Sequence, residues 1–210
     1  SFSWDSLMKG DKMMAAIQNK IGTTLIEDLP IRFTAVAADI ASEKEHWFQS
    51  GPIDQAIRAS VSLPLFFTPH TVDGVQLIDG GILNPIPIEP TLGDDTDLTI
   101  AVDLGGPMIE ALVPEVEEAK SPWQQKMDDF LESMKFSESK PKDQWDMLYI
   151  ADQSFNTMQN AIARIRMADN PPDHLIAIPR NKCGTLEFDR STEMIEYGYR
   201  LAAEQLAGSL

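Results

Sequence analysis

The chain has 210 residues, with 33 Asp and Glu against 17 Lys and Arg, and a formal net charge of −16. This excess of anions argues against nucleic acid as a partner, because binding to phosphate requires clustered cations; it also argues against electrostatic attachment to anionic lipid. Membrane contact would therefore be transient and made through apolar side chains. The single cysteine, Cys183, cannot form an internal disulfide and favours a reducing, cytoplasmic location.

Alternating predicted strands and helices run through the chain. The pair Asp73 and Gly74 is typical of a two-residue hairpin turn, since both residue types tolerate positive φ. Asp79 then ends the second strand of that hairpin and is followed at once by Gly80 and Gly81. The predicted elements, in order, are a helix at 11–21, strands at 31–40 and 45–50, a helix at 53–62, the hairpin at 71–79, a strand at 97–104, helices starting at 121 and 143, a strand at 174–178 and a helix at 190–207.

This order predicts an α/β fold in which a largely parallel central sheet is flanked by helices. We expect one domain over residues 1–210. Within it, residues 107–141 form an acidic, exposed helical insertion, and the helices of residues 143–210 pack on the sheet. Ser121 and Pro122 favour the start of a helix in that insertion.

Three aspartates, Asp39, Asp79 and Asp103, come where predicted strands end. Carboxylates that converge at one edge of a sheet could hold Mg²⁺, which prefers oxygen ligands. The alternative is that each aspartate simply ends its strand and caps the turn that follows, and for Asp39 and Asp103 this interpretation is favoured.

Basic residues give little sign of a site. The histidines His46, His70 and His174 are expected to be structural, and no arrangement of Ser, His and Asp can be assigned from the sequence. Arg164 and Arg166 lie among acids on a predicted helix, which is typical of a solvated face.

Three segments carry a family resemblance: "AIRASVSLPLFF", "DGVQLIDGGILNPIPI" and "LTIAVDL". Together they resemble the bacterial patatin-like phospholipases, lipid acyl hydrolases related to neuropathy target esterase. Flanking segments extend the resemblance over nearly the whole chain: "SFSW", "FTAVAADI", "WFQSG" and "DNPPDHLIAIPRNKCGTLEFDR". One departure is Leu65, where family members often carry Gly after the proline, so the resemblance does not extend to the shape of that loop or the size of its pocket.

The resemblance implies a serine-aspartate dyad that needs no cofactor and acts on a lipid acyl ester. The serine stands in a Gly-x-Ser-x-Gly turn, a glycine-rich loop binds the oxyanion, and the aspartate of the Asp-Gly-Gly motif, here Asp79, is the base. No serine of this chain lies in a Gly-x-Ser-x-Gly pentapeptide. We therefore expect both missing elements upstream, a fold that is incomplete at its N-terminus, and no activity from residues 1–210 alone.

Local sequence supports the role of Asp79. Gly80 and Gly81 shape the site because they let the chain turn with no Cβ near the serine, and apolar neighbours would raise the aspartate pKa by desolvation. The residues that could line an acyl pocket, or equally form ordinary core, are Leu63, Leu65, Phe66 and Phe67. The helix Trp123 to Met134 could be a lipid-touching lid, although packing on the core or on a second subunit of a homo-oligomer is favoured.

Two other functions stay open at this point. The first is a non-catalytic patatin-fold protein that binds lipid or a protein partner. The second is a metal-dependent phosphohydrolase that uses Asp39, Asp79 and Asp103 together.

Overall fold

The computed structural model describes residues 15, 18–22, 24–64, 67–109, 147–184 and 187–207. They belong to two compact units, one made of Ser1–Asp97 with Thr157–Pro172 and the other of Leu98–Asn156 with Asp173–Leu210. The following predicted features lie outside the described residues: the "SFSW" segment, most of the helix at 11–21, Leu65, Phe66, residues 110–146 with the Ser121 helix start and the Trp123 to Met134 helix, and the first residues of the long helix.

Nine regular elements are described. The strands are β1 (Ala35–Asp39), β2 (Lys44–Phe48), β3 (His70–Val72), β4 (Val75–Asp79), β5 (Ile100–Gly106) and β6 (His174–Pro179), and the helices are α1 (Ile53–Ser60), α2 (Met147–Asp169) and α3 (Ser191–Leu206). Short 3₁₀ turns occupy Ile26–Asp28, Gly80–Ile82, Glu89–Thr91 and Phe188–Arg190.

The first unit is built on a four-stranded antiparallel sheet in the order β2-β1-β4-β3. The turn between β3 and β4 is the predicted two-residue hairpin, with Asp73 at φ 49° and Gly74 at φ 82°. Both angles lie in the left-handed region that such turns require. β4 lies between β1 and β3 in the sheet, and its last residue, Asp79, pairs with Ala37 of β1.

Helix α1 covers one face of this sheet and packs on β1 and β4. Its buried residues Ile53, Ala56 and Ala59 recur every three positions, which places them on one stripe of the helix. Alanines on both the helix and β1 allow the two backbones to approach closely. The core also contains Ile26, Ala35, Ala37, Phe48 and Leu77.

The second unit contains β5 and β6, which pair in parallel. Ile176 and Ile178 of β6 are buried, and α3 packs against this strand. In β5, Val102 and Leu104 point to the exposed face.

The α/β class predicted from the sequence is confirmed. Parallel pairing is that of β5 with β6, whereas β1 to β4 pair antiparallel: two hairpins set the pairs β1-β2 and β3-β4, and β1 pairs with β4 across the longer connection that contains α1. Helix α2 ends before Pro171 and Pro172, as expected. Within the described residues, no helix combines the length and the apolar character needed to span a bilayer.

Candidate active site

Asp79 is the last residue of β4 and lies where the sheet gives way to a tight turn. Its N–H donates to the carbonyl oxygen of Ser62 at 3.0 Å, which ties the strand end to the segment after α1. Its Oδ1 accepts a hydrogen bond from the Gly81 N–H at 2.7 Å and caps the 3₁₀ turn Gly80–Ile82. The carboxyl group is thus held in one orientation by the turn that it starts.

The two glycines after Asp79 are both at close approaches. A Cβ on Gly80 would lie 2.2 Å from the carbonyl oxygen of Val36 in β1, a distance that no real contact allows. A Cβ on Gly81 would lie 2.7 Å from Nε2 of Gln159 in α2 and 3.0 Å from Oδ1 of Asp79. Gly80 therefore lets the turn lie flat on β1, and Gly81 leaves space beside the carboxylate.

Burial raises the pKa of Asp79 above its usual value, and the hydrogen bond from Gly81 offsets part of this increase. This is the direction expected from apolar neighbours such as Leu77 and Ile78, both of which are buried. A carboxylate with a raised pKa is a better proton acceptor than a solvated one.

A cleft of about 350 Å³ opens beside Asp79 within the first unit. Its walls are mostly apolar, and the polar groups among its lining residues include the Asp79 carboxyl and the Asn84 amide. The lining residues are Phe33, Thr34, Ala35, Val36, Ile57, Ser60, Val61, Asp79, Gly80, Gly81, Asn84, Pro85 and Pro87. An apolar cavity with a few convergent polar groups is the usual form of a small-molecule site.

The predicted acyl-pocket residues do not line this cleft where they are described. Phe67 is buried in the core and Leu63 is half-buried. Leu65 and Phe66 lie outside the described residues. Their role in an acyl pocket stays a prediction.

The carboxylates of the other two aspartates accept hydrogen bonds from the loop residues that directly follow them. Asp39 accepts hydrogen bonds from the Ala41 N–H at 2.9 Å and the Ser42 hydroxyl at 2.6 Å, and Asp103 accepts one from the Gly105 N–H at 2.7 Å. Within the parts of the chain that the structure describes, no three His, Cys, Asp or Glu side chains are grouped so that they could hold a metal ion. The favoured interpretation of Asp39 and Asp103 as capping residues agrees with these contacts.

The histidines lie in strands. His46 packs its ring against Phe48 with 4.4 Å between ring centroids, and His174 begins β6. His70 begins β3, and its Nε2 is buried with no hydrogen-bond partner in the described structure. Burial and, to a smaller extent, the positive charge of Arg58 lower the pKa of His70, which favours its neutral form.

The prediction of a solvated face is correct for Arg164, which is exposed, and wrong for Arg166. Arg166 forms ion pairs with Glu45 at 2.6 Å and Glu89 at 2.9 Å. Its side chain extends from α2 to β2, which contains Glu45, and to the 3₁₀ turn Glu89–Thr91. Both glutamates also bind Asn84, which is 2% exposed. Sequence reasoning missed these four residues, since a helical arginine among acids looks the same whether it is solvated or paired.

Comparison with known proteins identifies the family of this chain. The model of the patatin-like phospholipase family matches residues 1–92. Uncharacterized NTE family proteins of Mycobacterium tuberculosis and Mycobacterium bovis are each 33% identical over 256 residues, covering 98% of this chain and 71% of the relative. Lysophospholipase NTE1 of Pyricularia oryzae is 25% identical over 201 residues, covering 96% of this chain and 13% of that protein.

The matched family and the Pyricularia oryzae relative are named for lipid hydrolysis, and this chain carries an Asp-Gly-Gly turn beside an apolar cleft. The chain belongs to the patatin-like phospholipase family and to its NTE-related members.

Proposed function

We propose that the protein is a lipid acyl hydrolase of the phospholipase, lysophospholipase or esterase type, with Asp79 as the general base of a serine-aspartate dyad. The nucleophilic serine would be supplied by residues that precede this sequence. The observation that carries the proposal is the Asp79 carboxyl, which has a raised pKa, is oriented by the Gly81 N–H and borders the apolar cleft.

The reaction would proceed in two acyl transfers. In the first, the Asp79 carboxylate takes the proton of the serine hydroxyl while the serine oxygen attacks the ester carbonyl carbon. The proton then passes to the leaving alcohol as the carbon–oxygen bond breaks, which leaves an acyl-enzyme. In the second, Asp79 takes a proton from water, the hydroxide oxygen attacks the acyl carbon, and the serine recovers its proton as the fatty acid leaves.

The cleft favours an acyl chain over a polar substrate. Its walls include the side chains of Phe33, Val36, Ile57 and Val61, which offer no hydrogen bond to a sugar or a phosphate. Burial of each methylene of an acyl chain contributes about 0.8 kcal/mol. The names of the family and of the Pyricularia oryzae relative, a phospholipase and a lysophospholipase, agree with this substrate class.

The test uses the full-length protein with its native upstream residues, assayed with a p-nitrophenyl ester and with a lysophospholipid. Asp79→Asn should lower kcat by on the order of a hundred- to ten-thousandfold, since it removes the base. The matched control is Asp73→Asn in the exposed turn of the same hairpin, where Asn tolerates the positive φ and activity should be retained.

Two further results would complete the test. In the plot of rate against pH, the midpoint of the acid limb should lie above the usual aspartate pKa of about 3.9. The reason is that the pKa of Asp79 is raised and the base must be ionised. Residues 1–210 alone should hydrolyse neither ester above the Asp79→Asn background. Full activity in the Asp79→Asn protein would refute the dyad, and an inactive full-length protein that still binds lipid would favour the non-catalytic alternative.

A further inference from the structure

The segment that follows Asp79 forms a hydrogen-bonded turn that ends at Asn84. The N–H groups of Leu83 and Asn84 both donate to the carbonyl oxygen of Gly80, at 3.0 and 2.9 Å. The turn that carries the Asp79 carboxyl therefore moves as one piece with the Asn84 side chain, which is almost fully buried.

The Asn84 amide is held by two carboxylates. Its Nδ2 donates to Oε2 of Glu89 at 2.9 Å and to Oε2 of Glu45 at 3.2 Å. The amide cannot be reversed, because the opposite orientation would bring its oxygen against two negative charges. Its Oδ1 is buried and has no partner in the described structure, which is unfavourable for a polar atom. The two donated bonds hold the side chain there against that cost.

Arg166 binds the two carboxylates from the other side. Its Nη1 donates to Oε1 of Glu89 at 2.9 Å, and its Nη2 donates to Oε1 of Glu45 at 2.6 Å and to the carbonyl oxygen of Leu83 at 3.4 Å. Each glutamate thus uses one oxygen for Asn84 and the other for Arg166. All four side chains lie in the first unit, and we call them the Arg166 network: Glu45, Asn84, Glu89 and Arg166.

We propose that Arg166 is a positioning residue for the general base: through Glu45, Glu89 and Asn84, it fixes the turn that presents Asp79 to the cleft. This inference rests on the proposed function. Arg166 itself touches the Leu83 carbonyl and the two carboxylates, and it acts on Asp79 through them.

Charge and shape both require an arginine at this place. Two carboxylates that share one amide repel each other, and the guanidinium between them compensates this repulsion. Burial alone would increase the pKa of Glu89, yet hydrogen bonds from Asn84 and Arg166 lower it overall, so the carboxylate is ionised in the network. A planar guanidinium can donate to two carboxylates and a carbonyl at once, whereas a lysine ammonium is a single point charge.

The first experiment compares Arg166→Lys with Arg164→Lys in the full-length protein. Arg164 is the matched control, because it lies on the same helix with an exposed side chain. Arg166→Lys should lower kcat by on the order of ten- to a hundredfold with KM nearly unchanged, since a misplaced base slows the chemical step and leaves the cleft intact. Arg164→Lys should keep both constants.

The second experiment asks whether the loss passes through Asp79. In an Asp79→Asn background, Arg166→Lys should cause no further decrease in the residual rate, because the group that it positions is already gone. A decrease as large as in the parent protein would mean that Arg166 acts elsewhere and would overturn the inference, while the dyad itself would stand.

The third experiment needs no activity. Amide hydrogen exchange over residues 80–84 should be faster in Arg166→Lys than in the parent protein and unchanged in Arg164→Lys, at equal melting temperature. If Arg166→Lys does not fold, Glu89→Gln is used in its place, because it removes one of the two ionic contacts of Arg166. Unchanged exchange in this segment would overturn the proposal, and this result can be obtained even if the parent protein shows no esterase activity.

Discussion

Asp39 and Asp79 end neighbouring antiparallel strands and differ in almost every electrostatic respect. Asp39 is half-buried as a residue, but its carboxylate lies at the surface and accepts hydrogen bonds from Ala41 and Ser42, led by the Ser42 hydroxyl, so that its pKa is lowered. Asp79 is half-buried, accepts one described hydrogen bond, from Gly81, and has a raised pKa.

The residue after each aspartate explains the difference. Asp39 is followed by Ile40, which is 50% exposed, and the chain turns outward into solvent. Asp79 is followed by Gly80, which is buried and lies flat on the backbone of β1. Two strand-end carboxylates thus become a turn cap and a candidate base because one turn is open to water and the other is pressed against the sheet.

Replacing Gly80 by Ala should have the largest effect on this contrast. The new Cβ would meet the Val36 carbonyl oxygen at 2.2 Å, so the turn must shift away from β1. We expect a loss of about 1–3 kcal/mol in the free energy of unfolding and a fall in kcat to near the Asp79→Asn level. Urea denaturation and an ester assay measure both, with Ile40→Ala as the control after Asp39. Parent-like stability in Gly80→Ala would show that the turn is not pressed against β1.

Asp79→Asn should stabilise the fold at neutral pH while it removes activity. Because the folded-state pKa is raised, the native state loses stability as pH increases from the unfolded-state pKa through the folded-state value, and Asn has no charge to bury. The Asn side chain keeps an oxygen that can accept from Gly81. The free energy of unfolding at pH 7 should therefore be larger for Asp79→Asn than for the parent protein. This difference should vanish at pH values where Asp79 is protonated. A variant less stable than the parent at pH 7 would contradict the raised pKa.

Asp39→Asn should give the smallest effect and the opposite sign. A lowered folded-state pKa contributes stability above the unfolded-state pKa, and this is lost as pH falls through the folded-state value. Since the carboxylate is exposed, water and salt screen most of the gain. We expect a slight decrease in Tm at pH 7 that disappears in acid, with kcat unchanged. A gain in Tm at pH 7 would contradict the assignment of Asp39 as a cap.

Much of the fold could be predicted because its signals are local. The Asp73 and Gly74 turn, the stop of α2 before Pro171 and the aspartate at the end of β4 each depend on a few adjacent residues. The direction of strand pairing depends on connections instead: hairpins make β1 antiparallel to β2 and β3 antiparallel to β4, whereas β1 pairs with β4 across a longer connection.

The Arg166 network was missed because its contacts are distant in sequence. Arg166 and Glu45 are 121 positions apart, and Asn84 and Glu45 are 39 apart. Helical periodicity assigns a face to Arg166 but cannot say which element covers that face. The acyl-pocket prediction met a similar limit, since the apolar residues Leu63 and Phe67 carry no mark that separates a cavity wall from core.

The place of β4 inside its sheet also determines when during folding the site is assembled. The hairpins β1-β2 and β3-β4 are local and can close within microseconds, whereas the pairing of β1 with β4 joins Ala37 to Asp79 and carries the larger loop-closure cost. Only that later step brings Val36 against Gly80. The candidate base thus acquires its environment when the unit completes its topology, so that a half-folded chain would carry an ordinary, solvated aspartate.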